Sequence, residues 1–121
     1  METTSSIVRA TGIDCVCYLA KDFNRAKSFY TDVLGLRAVQ ESESWTEFEL
    51  ADGSAFAIAH MPDKWYPCGG TMFAVPDIEA ALAQVRASGV TILSEIQDYP
   101  PCRTVWCSDT EGNIFALHQR R

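Results

Sequence analysis

Residues 22–36 read Asp22-Phe23-Asn24-Arg25-Ala26-Lys27-Ser28-Phe29-Tyr30-Thr31-Asp32-Val33-Leu34-Gly35-Leu36. Asp22 can cap a helix, because its carboxylate accepts the free N–H groups of a first turn. Phe23, Ala26, Phe29, Tyr30, Val33 and Leu34 recur at helical spacing, which predicts a helix with one buried face. Gly35 supplies the stop.

The flanks of this helix read as strands. Ile13 to Ala20 is short and β-rich, and Leu36 to Gln40 resembles a second strand. From Trp45 to Leu50, Thr46, Phe48 and Leu50 alternate with Trp45, Glu47 and Glu49, as in a half-buried strand. Asp52-Gly53 is a hairpin signal, and Ala55 to His60 returns. The second half has the same order: a strand from Thr71 to Val75, a helix opened by Pro76-Asp77, and a stop at Gly89. The face of that helix is Ile78, Ala81, Leu82 and Val85. Strands at Val90 to Ile96, Arg103 to Cys107 and Ile114 to His118 follow, with a loop from Gln97 to Cys102 and a turn at Glu111-Gly112. Asp22 and Asp77 are 55 residues apart, Gly35 and Gly89 are 54 apart, and Gly53 and Gly112 are 59 apart. The expectation is an α+β fold of two tandem βαβββ modules whose curved mixed sheets form a cup. Module 1 covers about 13–60, a linker 61–69 and module 2 about 70–119 of one domain spanning 1–121. One module alone cannot cover its sheet, so the halves share a core or exchange partners with a second chain.

Composition narrows the function classes. With 121 residues and 47% hydrophobic content the chain can build a core without staples. No window approaches 18 consecutive apolar residues, which excludes a helical membrane span from the expectation. Met1 to Thr11 is polar with no apolar signal region, so a cytoplasmic location is expected. The net charge is −6 and Lys and Arg cluster only at Arg120-Arg121, so the footprint of a nucleic-acid binder is missing. An acidic surface favours a neutral or cationic ligand. The five cysteines, Cys15, Cys17, Cys68, Cys102 and Cys107, form no CxxC pair and read as reduced thiols.

The 22–36 stretch resembles the D-x-x-(x)-A-x-x-F-Y-x-x-x-L-G segment of the vicinal oxygen chelate superfamily. That superfamily includes glyoxalase I, extradiol dioxygenases, fosfomycin-resistance transferases and bleomycin-binding proteins. Arg103 followed by Asp109-Thr110-Glu111-Gly112-Asn113 is similar to its R-x-x-x-x-x-D-P-D-G-N close, with Thr110 where proline is usual. The resemblance covers about residues 13 to 119 and implies paired βαβββ modules around a cup-shaped site. Enzymes of the group hold one divalent metal (Ni, Mn, Fe or Zn) with up to four side chains in the first and last strand of each module. The positions of this chain that match are Cys15, Ala57, Gly70 and Ala116. Cys15 and Gly70 are 55 apart, and Ala57 and Ala116 are 59 apart, in step with the caps and turns. Three of these residues have no donor atom, and a lone thiolate does not match such metals. No metal and no cofactor are therefore expected.

Pleating sends alternate residues to the cup face. Cys15, Cys17 and Leu19, then Ala55, Ala57 and Ala59, fall there from the first module. Gly70, Met72 and Ala74, then Ile114, Ala116 and His118, fall there from the second. This lining suits a binding pocket, unless aromatic side chains fill it. Trp45, Trp65, Tyr99 and Trp106 are candidates to stack on a planar ligand or to pack at a subunit interface. Cys15 and Cys17 read either as small hydrophobes or as a thiol pair with His118 as the inward-facing imidazole. Arg103 either holds the last hairpin, for example through Asp109, or meets a ligand carboxylate. Glu41, Glu43, Glu47 and Glu49 form a solvated strand face or match a cationic ligand.

The leading expectation is a metal-independent small-molecule binding protein acting in antibiotic or toxin sequestration. Its ligand is planar and neutral or cationic, and it works as a homodimer without nucleic-acid or membrane partners. Bleomycin-binding members, which the chain resembles in size, acidity and missing ligands, imply the dimer. The alternatives are a lyase, isomerase or dioxygenase with a displaced or thiol-based site, and a protein-interaction module.

Overall fold

The computed structural model describes residues 13–63 and 65–121. The reading of Met1 to Thr11 lies outside them. Strand β1 (Val16–Ala20) leads into α1 (Phe23–Ser28), where Asp22 Oδ1 accepts the Arg25 N–H at 3.2 Å. The helix then widens into a π-helical turn over Phe29–Val33, closed by the Leu34 N–H on the Phe29 carbonyl at 3.3 Å. A single α-helix was expected here. The widening lies where the Thr31 hydroxyl donates back to the Lys27 carbonyl at 3.0 Å, a bond that bends helices. Strands β2 (Arg37–Glu41), β3 (Trp45–Glu49) and β4 (Ala55–His60) complete a sheet ordered β1-β4-β3-β2, with β1 parallel to β4.

The second module runs β5 (Thr71–Ala74), α2 (Ile78–Ala87), β6 (Thr91–Ile92), β7 (Gln97–Tyr99), β8 (Cys102–Ser108) and β9 (Ile114–Arg120). Its sheet is ordered β5-β9-β8-β6, with β7 also on β8. Asp77 Oδ1 caps α2 through the Glu79 and Ala80 N–H groups, both at 3.1 Å. The strand expected over Val90 to Ile96 is corrected to Thr91–Ile92. There the Ser94 hydroxyl takes the Trp106 N–H at 3.0 Å, replacing a ladder bond. Pairing resumes over Gln97–Tyr99, inside the stretch expected to be loop. Together β6 and β7 fill the place of one strand, so the architecture is two tandem βαβββ modules of mixed α+β structure.

The pleat decides what is buried. Tyr18, Phe48, Phe56 and Ile58 of the first sheet are buried on its helix side, as are Phe73, Val105, Phe115 and Leu117 of the second. Both sets meet Phe29 and Tyr30 in one core. Phe56 and Phe73 join the sheets edge to face at 5.2 Å, and Phe29 reaches Phe115 at 5.9 Å.

A polar junction fixes the modules to each other. Asp109 is buried, and its Oδ1 accepts the N–H groups of Glu111 and Asn113, both at 2.8 Å. Its Oδ2 accepts the Tyr30 hydroxyl at 2.6 Å and the Asn113 side-chain amide at 3.1 Å. Asn113 in turn donates to the Leu19 carbonyl at 3.1 Å and accepts the Cys68 N–H at 2.7 Å. The Glu111 carboxylate receives the N–H groups of Lys21 (2.5 Å) and Asp22 (3.1 Å). Burial, with the Asp109 carboxylate beside it, pushes the Tyr30 phenol far above its ordinary range, so it stays a donor.

Tyr30→Phe leaves one lone pair of this buried carboxylate unmet. The expected cost is about 1.5–3 kcal/mol in denaturant unfolding, with the fold retained. Burial also pushes the Cys107 thiol up from 9.0 to about 11. A raised thiol pKa means that the unfolded chain loses this proton first. The contribution is therefore intact below about pH 9 and is lost as pH rises through about 11. Over that window Cys107→Val is expected to lose less stability than the wild type, read from urea midpoints.

Candidate functional site

The faces of the two sheets that point away from the helices carry the residues singled out from the sequence. On the first sheet one cross-strand row is Cys17, Ala57 and Glu47, and the next is Leu19, Ala59 and Trp45. On the second the rows are Met72, Ala116 and Trp106, then Ala74, His118 and Thr104. Register partners in a sheet share a face. Antiparallel sheets with one open side ordinarily turn polar residues outward. Here the open faces are mainly apolar and aromatic. Cys17, Met72, Ala74 and Ile114 are exposed on them, so aromatic side chains do not fill the space above these positions. Ala57 and Ala116 are fully buried between their larger row neighbours.

The positions matched to the metal ligands keep one geometry in both modules. Val16 pairs with Phe56 and Thr71 with Phe115, which puts Cys15 level with Ala55 and Gly70 level with Ile114. In each module the last-strand candidate, Ala57 or Ala116, lies two residues further along the same face. The family's metal does not fit these residues, because Ala57, Gly70 and Ala116 offer no donor. Among the described residues no group of three or more His, Cys, Asp or Glu side chains is placed to hold an ion. Gly70 also adopts φ +96°, a conformation that residues with a Cβ avoid, so a ligand side chain there would strain the backbone.

The thiols are poorly placed for nucleophilic work. Cys15 is raised above the usual thiol range by burial, then by Glu47 and Asp14. Cys17, though exposed, is raised by partial desolvation from the atoms around it, then by Cys15 and Cys68. A thiol held protonated is a weak nucleophile. His118 lies in the second sheet's rows, apart from the Cys17 row of the first.

The remaining candidates divide. Trp45 and Trp106 lie half-buried in the open-face rows. Trp65 is half-buried in the connection before β5, with Lys21 Nζ 4.2 Å from its ring centroid and its indole N–H buried without a partner among the described residues. Tyr99 is a β7 residue rather than a loop residue, 47% exposed, and its hydroxyl donates to Gln97 at 3.0 Å. Arg103 needs correction as a lining residue. Pleat parity puts it with Val105 on the helix side, and it pairs with Glu79 of α2 at 3.3 Å rather than with Asp109. Asp109's acceptor positions are already taken by Tyr30 and its own turn. Of the four glutamates, Glu41 pairs with Lys27, Glu49 pairs with Arg37, and Glu43 is exposed in the connection between β2 and β3. Glu47 is left as the half-buried acid of the Ala57 row. The alternation from Trp45 to Glu49 already gave its face, but not that its neighbours are neutralised.

Comparison with known proteins agrees with this arrangement. A lactoylglutathione lyase structure from Agrobacterium tumefaciens superposes with a TM-score of 0.76 at 16% identity, covering 91% of this chain and 94% of that one. TnmS3, an antibiotic binding protein from Streptomyces sp. CB03234, gives 0.74 at 20% identity over 94% and 99%. The oxidase ChaP-H2 gives 0.74 at 18% over 93% and 96%. A lyase, a binding protein and an oxidase thus share the fold, and these likenesses speak to fold alone. No curated protein sequence matches the chain. No helix among the described residues is long and apolar enough to cross a membrane. The model of the Glyoxalase/Bleomycin resistance protein/Dioxygenase superfamily matches residues 12–117, and the chain belongs to that superfamily.

Proposed function

We propose that this protein binds a small molecule without a metal, acting in the cytoplasm as a homodimer that sequesters a planar neutral or cationic compound such as an antibiotic or toxin. The observation that carries the reading is the chemistry of the open faces. The metal positions are Ala, Gly and one protonated thiol, while Trp45, Met72 and Trp106 offer stacking surface. Glu47 supplies a negative charge beside Ala57, which favours a cation. The antibiotic-binding protein from Streptomyces shares the fold and supports this choice among the family's activities. A second copy is the occupant that would convert the exposed apolar faces into an enclosed site, since patches of this kind mark interfaces. The raised thiols and the missing donors speak against a thiol-based or metal-dependent lyase, isomerase or dioxygenase.

A thermal-shift screen of planar cationic compounds tests this. A ligand at 100 times its Kd stabilises by about 2.7 kcal/mol, a rise of roughly 10 °C in Tm. Glu47→Gln is expected to weaken a cationic hit about two- to fivefold without unfolding the protein. Chelator treatment is expected to change neither the Tm nor the binding. One tightly held transition-metal ion per chain, lost together with binding on chelation, would overturn the proposal. In sedimentation, a dimer whose dissociation is promoted by Met72→Glu is the expected behaviour.

A further inference from the structure

The sheets approach each other along β1 and β5, where the Tyr18 hydroxyl donates to the Ile114 carbonyl at 2.7 Å and accepts the Thr71 N–H at 2.9 Å. Beside this seam is a groove of about 460 Å³. That volume is within the ~300–1,000 Å³ range of small-molecule sites. Its walls are apolar, built by Val16, Phe56, Phe73, Met72 and the turn residue Leu50. It shares Met72 and Ala74 with the open-face rows but none of Trp45, Glu47, Trp106 or His118, so it lies at the edge of those rows.

Two opposite charges line the same groove: Asp52 from the β3–β4 turn and Arg120 from the end of β9. Asp52 Oδ1 accepts both the Ser54 N–H at 3.0 Å and the Ser54 hydroxyl at 2.6 Å. Its Oδ2 has no hydrogen bond among the described residues. Nor do Asp52 and Arg120 form an ion pair with each other or with another described residue. Thr71 also lines the groove, with its hydroxyl oxygen buried and without a hydrogen-bond partner among the described residues.

We propose that the seam groove is a binding site for a small zwitterion with an apolar body, the chemistry of an apolar α-amino acid. The ammonium faces Asp52 Oδ2, the carboxylate faces Arg120, and the body packs on Phe56, Met72 and Phe73. Charge complementarity selects this class. A simple anion meets the Asp52 carboxylate and a simple cation meets the Arg120 guanidinium, whereas a zwitterion satisfies both.

Titration of the full chain with L-phenylalanine, followed by NMR, tests the proposal against two singly charged analogues, 3-phenylpropanoate and 2-phenylethylamine. Phenylalanine is expected to bind, perturbing Phe56 and Phe73 resonances, with both analogues several-fold weaker. Asp52→Asn and Arg120→Gln are each expected to weaken phenylalanine about two- to fivefold, as for rim charges. Both residues are exposed, so the fold is retained. Glu47→Gln leaves this binding unchanged, which separates the result from that of the planar-cation screen. No binding of phenylalanine, equal binding of the analogues, or perturbations confined to Trp45 and Trp106 would each overturn the proposal.

Discussion

The carboxylate of Asp109 is the group on which the two modules depend. It sits in the turn before β9 of the second module, yet its strongest partner is Tyr30 from the helix of the first. A buried carboxylate requires donors for most of its lone pairs, and here four hydrogen bonds supply them. Because Asn113 also binds Leu19 and Cys68, one charge orders the end of β1, the entry to β5 and the last hairpin together. Apolar contacts such as Phe56 on Phe73 supply attraction between the sheets, but they are non-directional. The polar junction sets the register.

Both helix-side faces are committed to a shared core, so the opposite faces are the ones left open. There the residues are mostly small or apolar, and the positions that the family uses for an ion carry no donor apart from Cys15. The fold therefore keeps its frame while its open rows, with Trp45, Trp106 and Glu47, suit stacking and charge attraction better than Lewis-acid catalysis.

Much of this was legible in the sequence because period-2 and period-3.6 patterns report burial directly. The helix face through Ala26, Phe29 and Tyr30 and the turn glycines follow from such patterns. Pleat parity also put Cys17, Ala57, Met72 and Ala116 on one kind of face. Four features escaped. The π-helical turn coincides with a local hydroxyl bond from Thr31 that periodicity does not register. The split of β6 from β7 depends on Ser94 competing for the Trp106 N–H. Arg103 was misplaced because a motif match names a residue without saying which side of its strand it faces, and Glu79 was a partner brought close only by the fold. The bonding of Asp109 was hidden for the same reason, since Tyr30 lies 79 residues away.

The most direct measurement is a crystal structure of the protein purified from cells with no ligand or metal added. A small molecule stacked on Trp45 or Trp106, with no ion among Cys15, Ala57, Gly70 and Ala116, is the predicted result. A transition-metal ion gripped by side chains at that place would contradict it.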